Sequence, residues 1–311
     1  MTSYAVIGAG AIGGFYGARL ARSGQEVHFL FRGRAQHVDK NGLQIISTEG
    51  DFELTELNAY ADWSALPRVD VAIVAVKSGA NADVASRVGA ILKPGGAVLL
   101  IQNGLGAEPG YSAAIGDPGV VIGGLAFISV VLESPNQIRH FDFGTMTMGQ
   151  YSSDYAAAGI HPMMQTIADD LAAAGIPSVL EDDLLLARWK KLLWNIPFNS
   201  LSVILNAQTD ELMDNPATVE LVSTIMDEVR AATASDGREI PREAADMLLA
   251  ATRQMQPYST SMKVDYQAGR HLEVQGMLGE PLARAERNGL QLPTISTLFK
   301  QLTFIDDRQP G

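Results

Sequence analysis

Lys191, Asn195 and Asn199 recur at four-residue spacing inside the stretch Trp189-Lys190-Lys191-Leu192-Leu193-Trp194-Asn195-Ile196-Pro197-Phe198-Asn199. The apolar run around them begins at Leu184 and reads as a helix meant for burial. Their spacing lets the three polar groups drift slowly along one side of it. Burying an amide without a partner costs roughly 2–7 kcal/mol, and an ammonium costs more. Two readings stand at this point. The three are a rim lysine and two amides that cap neighbouring loops, or they hold a small molecule. In the second case a desolvated lysine, its pKa lowered, is a candidate acid or base. Pro197 removes one helical donor and is expected to kink the helix, freeing backbone groups beside Asn195 and Asn199.

What such a lysine could act on is suggested by the other end of the chain. The short apolar strand Tyr4–Ile7 runs directly into Gly8-Ala9-Gly10-Ala11-Ile12-Gly13-Gly14, and an amphipathic helix follows as far as Gly24. Three glycines in the pattern G-x-G-x-x-G between a strand and a helix form the dinucleotide fingerprint. Gly8 permits the tight turn, Gly10 lets the backbone approach a pyrophosphate, and Gly13 lets helix pack on strand. The helix start at Ala11 and Ile12 supplies backbone donors and the positive dipole end. A second strand, 26–31, ends at Arg32-Gly33-Arg34, where an NAD-specific site would carry an acid. A guanidinium there suits a ribose 2′-phosphate, so NADP(H) is the expected cofactor. The other possibility is that Arg32 and Arg34 are solvated loop charges.

Two further apolar strands, Val69–Val76 and Ala97–Ile101, end at Lys77 and at Gln102-Asn103-Gly104. Ligands of open α/β sheets bind beyond the carboxyl ends of strands. Lys77 and Asn103 therefore share the placement of Arg32 and the glycine turn. Residues 42–54 read as a hairpin inserted outside the core. Val120–Val131 and Gln137–Met148 extend the sheet, and a helix 162–174 and a strand 178–180 follow. From Asp182, expected to cap a helix, the pattern is helical throughout: 217–235, 242–255, 273–287 and 293–305. The expectation is an α/β protein, with a Rossmann-type dinucleotide-binding domain carrying extra strands at 1–181. An all-helical substrate and catalytic domain at 182–311 follows it.

Composition narrows the classes. The net charge of −12 argues against nucleic acid or an anionic membrane as partner. No cysteine is present, which removes disulfides, thiolate metal sites and Cys nucleophiles. The five histidines show no metal-ligand spacing, so no metal is expected. No apolar run approaches the ~20 residues of a membrane span. Cytoplasm is the expected location.

On these residues the chain resembles the ketopantoate reductases (2-dehydropantoate 2-reductases), nearly end to end. The family's glycine fingerprint falls on Gly8, Gly10 and Gly13, its phosphate-reading arginine on Arg32 and its cofactor-side lysine on Lys77. Its Asn-Gly motif falls on Asn103-Gly104. Its Trp-x-Lys…Asn…Asn pattern falls on Trp189, Lys191, Asn195 and Asn199, which implies Lys191 as the proton donor. Its Ser-Met pair is Ser261-Met262, and the family's glutamate, twelve residues after Ser261, is Glu273. The resemblance implies that Ser261, Asn195 and Asn199 hold the substrate and that Glu273 helps order the lysine and the cofactor. It implies NADPH-dependent reduction of a 2-oxo acid, ketopantoate to pantoate, within pantothenate biosynthesis.

Departures remain at Gln275, Leu278 and Thr209, where the family carries other residues. They keep open a relative acting on a different 2-oxo or 3-hydroxy acid. A non-catalytic NADP(H)-binding regulator would have lost the lysine or the glutamate, and this chain has both Lys191 and Glu273. Monomer and homodimer both stay open.

Overall fold

The computed structural model describes residues 1–310 and divides into two compact units. Met1–Gln102 with Ala107–Ala187 forms the first, and Asn103–Gly106 with the chain from Arg188 onward forms the second. Gly311, the last residue of the expected helical domain, lies outside the described residues.

The first unit is one ten-stranded sheet. Its strands are β1 (Ser3–Ile7), β2 (Glu26–Leu30), β3 (Leu43–Ser47), β4 (Phe52–Leu54) and β5 (Asn58–Tyr60). They continue as β6 (Val69–Val74), β7 (Leu92–Ile101), β8 (Val121–Ser134), β9 (Gln137–Gln150) and β10 (Ser178–Glu181). Their order is β4-β3-β9-β8-β7-β6-β1-β2-β5, with β10 beside β9. From β5 to β8 every pairing is parallel, and β9 then turns back antiparallel on β8. Central parallel strands are covered on both faces, which is why β1 and β6 are apolar almost without interruption. The chain leaves β1 for β2 on one side and returns with β6 on the other, a topological switch point at the glycine turn.

Helix α1 (Ala11–Arg22) packs on this sheet through Gly17, where a Cβ would lie 2.6 Å from Phe29 and 2.7 Å from Val6. Phe15, Phe29, Val6 and Ile73 meet in the core beneath it. Helices α2 (Ala35–Asn41), α3 (Asn81–Val88), α4 (Ala107–Ile115) and α5 (Pro162–Ala173) complete the unit.

Two expectations are corrected here. The β3–β4 hairpin is no insertion outside the core. β3 pairs in parallel with β9, and Leu43 and Ile45 are buried, because the long β9 has an edge that needs covering. The cap of the next helix is Asp183 rather than Asp182: Asp183 Oδ1 accepts the Leu186 N–H at 3.0 Å, while the Asp182 carbonyl accepts from Ala158 and Gly159.

The second unit is helical. The division falls inside α6 (Leu184–Ile204), which runs unbroken through Pro197. Then come α7 (Thr209–Asp214), α8 (Pro216–Ser235), α9 (Arg242–Gln254) and α10 (Ser261–Gln267). A π-turn at Gln275–Gly279 leads into α11 (Glu280–Arg287), and α12 (Pro293–Asp306) ends the unit. Asp236 fastens it, accepting from Trp189 Nε1 at 2.8 Å, Arg284 Nε at 2.5 Å and Asn288 Nδ2 at 2.7 Å. One buried carboxylate thus ties α6 and α11 to the end of α8. Glu228 caps α12 by accepting the Thr294 and Ile295 N–H groups. Among the described residues no helix is long and apolar enough to cross a membrane.

Candidate active site

In the first unit the candidate residues gather at the carboxyl end of β1. Gly8 sits at φ +85°, and a Cβ there would lie 2.7 Å from Val76 Cγ1 and 2.9 Å from the Ala75 backbone. Gly13 is held as tightly, with a Cβ 2.5 Å from the Gly8 carbonyl oxygen. Gly10 differs, since a Cβ there would find only the Gly8 oxygen, 4.0 Å away. Two glycines are therefore demanded by packing, and the middle one faces open space. The start of α1 at Ala11 and Ile12 has no side-chain cap and no acid in its first turn. Donors with a positive dipole end and no competing carboxylate fit a pyrophosphate.

Lys77 follows β6 and is exposed, as is Arg32 after β2. Among the described residues Arg32 makes no hydrogen bond or ion pair. Its neighbour Arg34 is half-buried, donates to the carbonyls of Ala9 and Pro135, and lies over the Phe31 ring with Cζ 4.9 Å from the centroid. The residue pattern alone places Arg34 only as a loop charge, and its contact with the glycine turn has no local sequence signal.

In the second unit α6 carries Lys191, Asn195 and Asn199 as its spacing predicts. Lys191 is half-buried, and desolvation lowers its pKa from 10.5 to about 7. The Arg188 guanidinium one turn earlier pushes in the same direction, and the Glu273 carboxylate opposes both. An ammonium beside a carboxylate, titrating near neutrality, is suited to giving and taking a proton at physiological pH. Arg188 is 2 % exposed and escapes a reading by spacing, because an arginine on an apolar helix announces no particular partner.

Asn199 is 2 % exposed and its Oδ1 accepts the Met262 N–H at 3.1 Å and the Ser261 hydroxyl at 3.4 Å. This leaves the amide NH2 group of Asn199 to donate elsewhere. Thr260 fixes the start of α10, its Oγ1 accepting the Lys263 N–H at 3.3 Å and sharing a 2.6 Å hydrogen bond with Ser202 Oγ of α6. A threonine immediately before Ser261-Met262 is a readable helix cap, although its tie to α6 is not. Asn195 is 7 % exposed, and its amide has no hydrogen-bond partner among the described residues. The same is true of the half-buried Asn103 side chain.

The segment Asn103–Gly106 leaves the sheet and packs with the helices. The Leu105 N–H donates to the Gly276 carbonyl at 2.9 Å, and Gly104 at φ +86° approaches so closely that a Cβ would lie 2.3 Å from that oxygen. Only glycine fits this contact. It falls within the π-turn that follows Glu273, so the expected single helix 273–287 is interrupted there. A carbonyl taken by an outside donor and an extra residue in the turn go together.

The three departures also find their places. Leu278 is buried in the core. Thr209 exchanges hydrogen bonds with Tyr258, its N–H donating to the Tyr258 carbonyl and its Oγ1 accepting the Tyr258 N–H. Gln275 is exposed and donates to Glu280 at 3.3 Å. Each has a structural occupation.

A sheet whose central strands run parallel, with the glycine turn at its switch point, and a helical unit carrying a lysine of lowered pKa, fit a Rossmann-type nicotinamide-dinucleotide oxidoreductase. The family model for Ketopantoate reductase PanE/ApbA matches residues 4–153, and that for its C terminal matches residues 183–306. The chain belongs to the ketopantoate reductase family. A 2-dehydropantoate 2-reductase of Nostoc sp. is 45% identical over 98% of this chain and 95% of its own length. Among solved structures, 2-dehydropantoate 2-reductase from Geobacter metallireducens superposes with a TM-score of 0.92 at 32% identity, covering 97% of this chain and 99% of that one. The Methylococcus capsulatus enzyme gives 0.90 at 31% identity, covering 99% and 98%.

Proposed function

We propose that this protein reduces 2-dehydropantoate (ketopantoate) to pantoate with NADPH, with Lys191 as the proton donor. The observation that carries this is Lys191 itself: a lysine titrating near neutrality beside Glu273, on the same helix as Asn199. Bound NADPH supplies the hydride that a 2-oxo acid takes at its carbonyl carbon. The rest falls to this chain's side chains. As the carbonyl oxygen gains charge, the Lys191 ammonium stabilises the developing alkoxide and then gives it a proton. Glu273 keeps a useful fraction of Lys191 charged against the desolvation that lowers its pKa. The free NH2 of Asn199, the Asn195 amide and the Ser261 hydroxyl bind the acid's carboxylate and hydroxyl. Neutral donors orient the substrate without trapping an anionic product.

On the cofactor side, Gly8, Gly10, Ala11, Ile12 and Gly13 hold the pyrophosphate, Arg32 meets the 2′-phosphate, and Lys77 and Asn103 complete the set with Glu273. The assignment of cofactor binding to 1–181 and of substrate and proton transfer to 182–311 belongs to the same proposal. So does a cytoplasmic enzyme acting as monomer or homodimer on a small-molecule acid.

Initial rates of NADPH oxidation test it, with ketopantoate run beside NADH and a panel of other 2-oxo acids. Turnover with ketopantoate and NADPH well above every other pair, with pantoate as product, is the expected result. A higher kcat/KM on another acid overturns the substrate assignment, and equal use of NADH overturns the cofactor assignment.

A further inference from the structure

Arg34 is a charged group that the mechanism above leaves unused. The two terminal nitrogens of its guanidinium donate to the Pro135 carbonyl, in the β8–β9 turn, and to the Ala9 carbonyl, inside the glycine turn itself. Its planar group lies over the Phe31 ring. Among the described residues it has no ion-pair partner, and burial lowers its pKa. A half-buried guanidinium keeps its charge and is poorly compensated by carbonyl dipoles alone. Phe31 and Ala9 hold it where the carboxyl end of β2 comes beside the glycine turn. That is the place at which this fold reads the adenosine ribose. Arg32, by contrast, is exposed and makes no contact that would fix its direction.

We propose that Arg34, stacked on Phe31, is the pre-positioned half of a two-arginine clamp for the cofactor's ribose 2′-phosphate, with Arg32 as the mobile half. The inference rests on the NADP(H) reading and deepens it. Against a phosphate dianion the guanidinium can make parallel bidentate bonds between full opposite charges, where the Ala9 and Pro135 carbonyls offer it only dipoles. Arg34 therefore gains by giving up its two carbonyls for the phosphate. The stack on Phe31 limits the side-chain freedom lost in that exchange. Selectivity for the 2′-phosphate then depends more on Arg34 than on Arg32, because less entropy is lost in fixing it.

The test is calorimetric binding to the purified protein, with 2′,5′-ADP and 5′-AMP as probes that differ at the 2′ position, and with NADP+ and NAD+. Wild type, R32A, R34A and R34Q are compared, and R34Q keeps a polar hydrogen-bonding side chain while losing the charge. The expected result is a loss of about tenfold or more for 2′,5′-ADP and NADP+ in R34A and R34Q, with 5′-AMP and NAD+ within about twofold of wild type. R32A loses less. Equal weakening of all four ligands in R34Q makes Arg34 a structural support of the glycine turn and overturns the proposal. Unchanged binding of 2′,5′-ADP overturns it as well. Failure of the parent reading looks different: wild type itself then shows no preference for the 2′-phosphorylated ligands.

Discussion

Lys191 couples chemistry to stability at the residue scale, because one displaced pKa governs both. With a pKa of about 7, the fraction of the free enzyme that carries the donor proton falls as pH rises through neutrality. A pH profile of kcat/KM for ketopantoate reduction is expected to fall above about pH 7, approaching one decade per pH unit. A profile flat to pH 9 removes Lys191 from the role of acid. The linkage runs in the opposite sense. Below about pH 7 the charged lysine is present folded and unfolded, so its burial cost stands in full. Between about 7 and the ordinary lysine value of 10.5 the unfolded chain binds a proton that the folded chain lacks, and stability rises with pH. Lys191→Met should therefore melt higher than wild type at pH 6, by a few degrees, and the gap should close toward pH 10. A variant that melts lower at pH 6 would show that the ammonium is a net structural asset.

At the scale of elements, the glycine turn separates packing from function. Gly10→Ala places its methyl in open space, so melting should stay within about 2 °C of wild type while NADPH affinity falls about tenfold or more. Gly13→Ala meets the Gly8 carbonyl and should cost about 2 kcal/mol or more of stability, seen as a lower melting temperature. Equal effects of the two changes on melting would contradict the division. The turn was legible because its pattern is local: strand, three glycines and helix within a few residues. The line of Lys191, Asn195 and Asn199 was legible for the same reason, since helical period alone aligns them. The bonds of Asn199 to Ser261 and Met262 span about sixty residues, and neither periodicity nor spacing encodes such a pairing; only the family resemblance named these residues together. Nor does local pattern reveal the π-turn after Glu273, which exists because Leu105 claims the Gly276 carbonyl from a distant segment. β5 is only three residues long and pairs with β2 at an edge, too short to carry a periodic signal. Arg34 looked like Arg32 for want of any local mark of its contact with Ala9.

For the whole molecule, the α/β sheet followed by helices could be read from the alternation of apolar strands and helices up to Leu180 and the purely helical pattern after it. One join was not readable. Asn103–Gly106 belongs with the helical unit although it follows β7 directly, because Gly104 can approach Gly276 as no other residue could. The departures at Gln275, Leu278 and Thr209 had suggested a different acid from sequence alone. In the fold Leu278 is packed in the core, Thr209 pairs with the Tyr258 backbone and Gln275 donates to Glu280, so each has a local structural contact. The central claim joins NADPH, ketopantoate and Lys191, and single-turnover oxidation of enzyme-bound NADPH by ketopantoate tests it most directly, in wild type and Lys191→Met side by side. The account predicts rapid oxidation by wild type and a rate lower by about a thousandfold in the variant, with NADPH bound equally tightly by both. No oxidation by wild type, or comparable rates in the two, would contradict it.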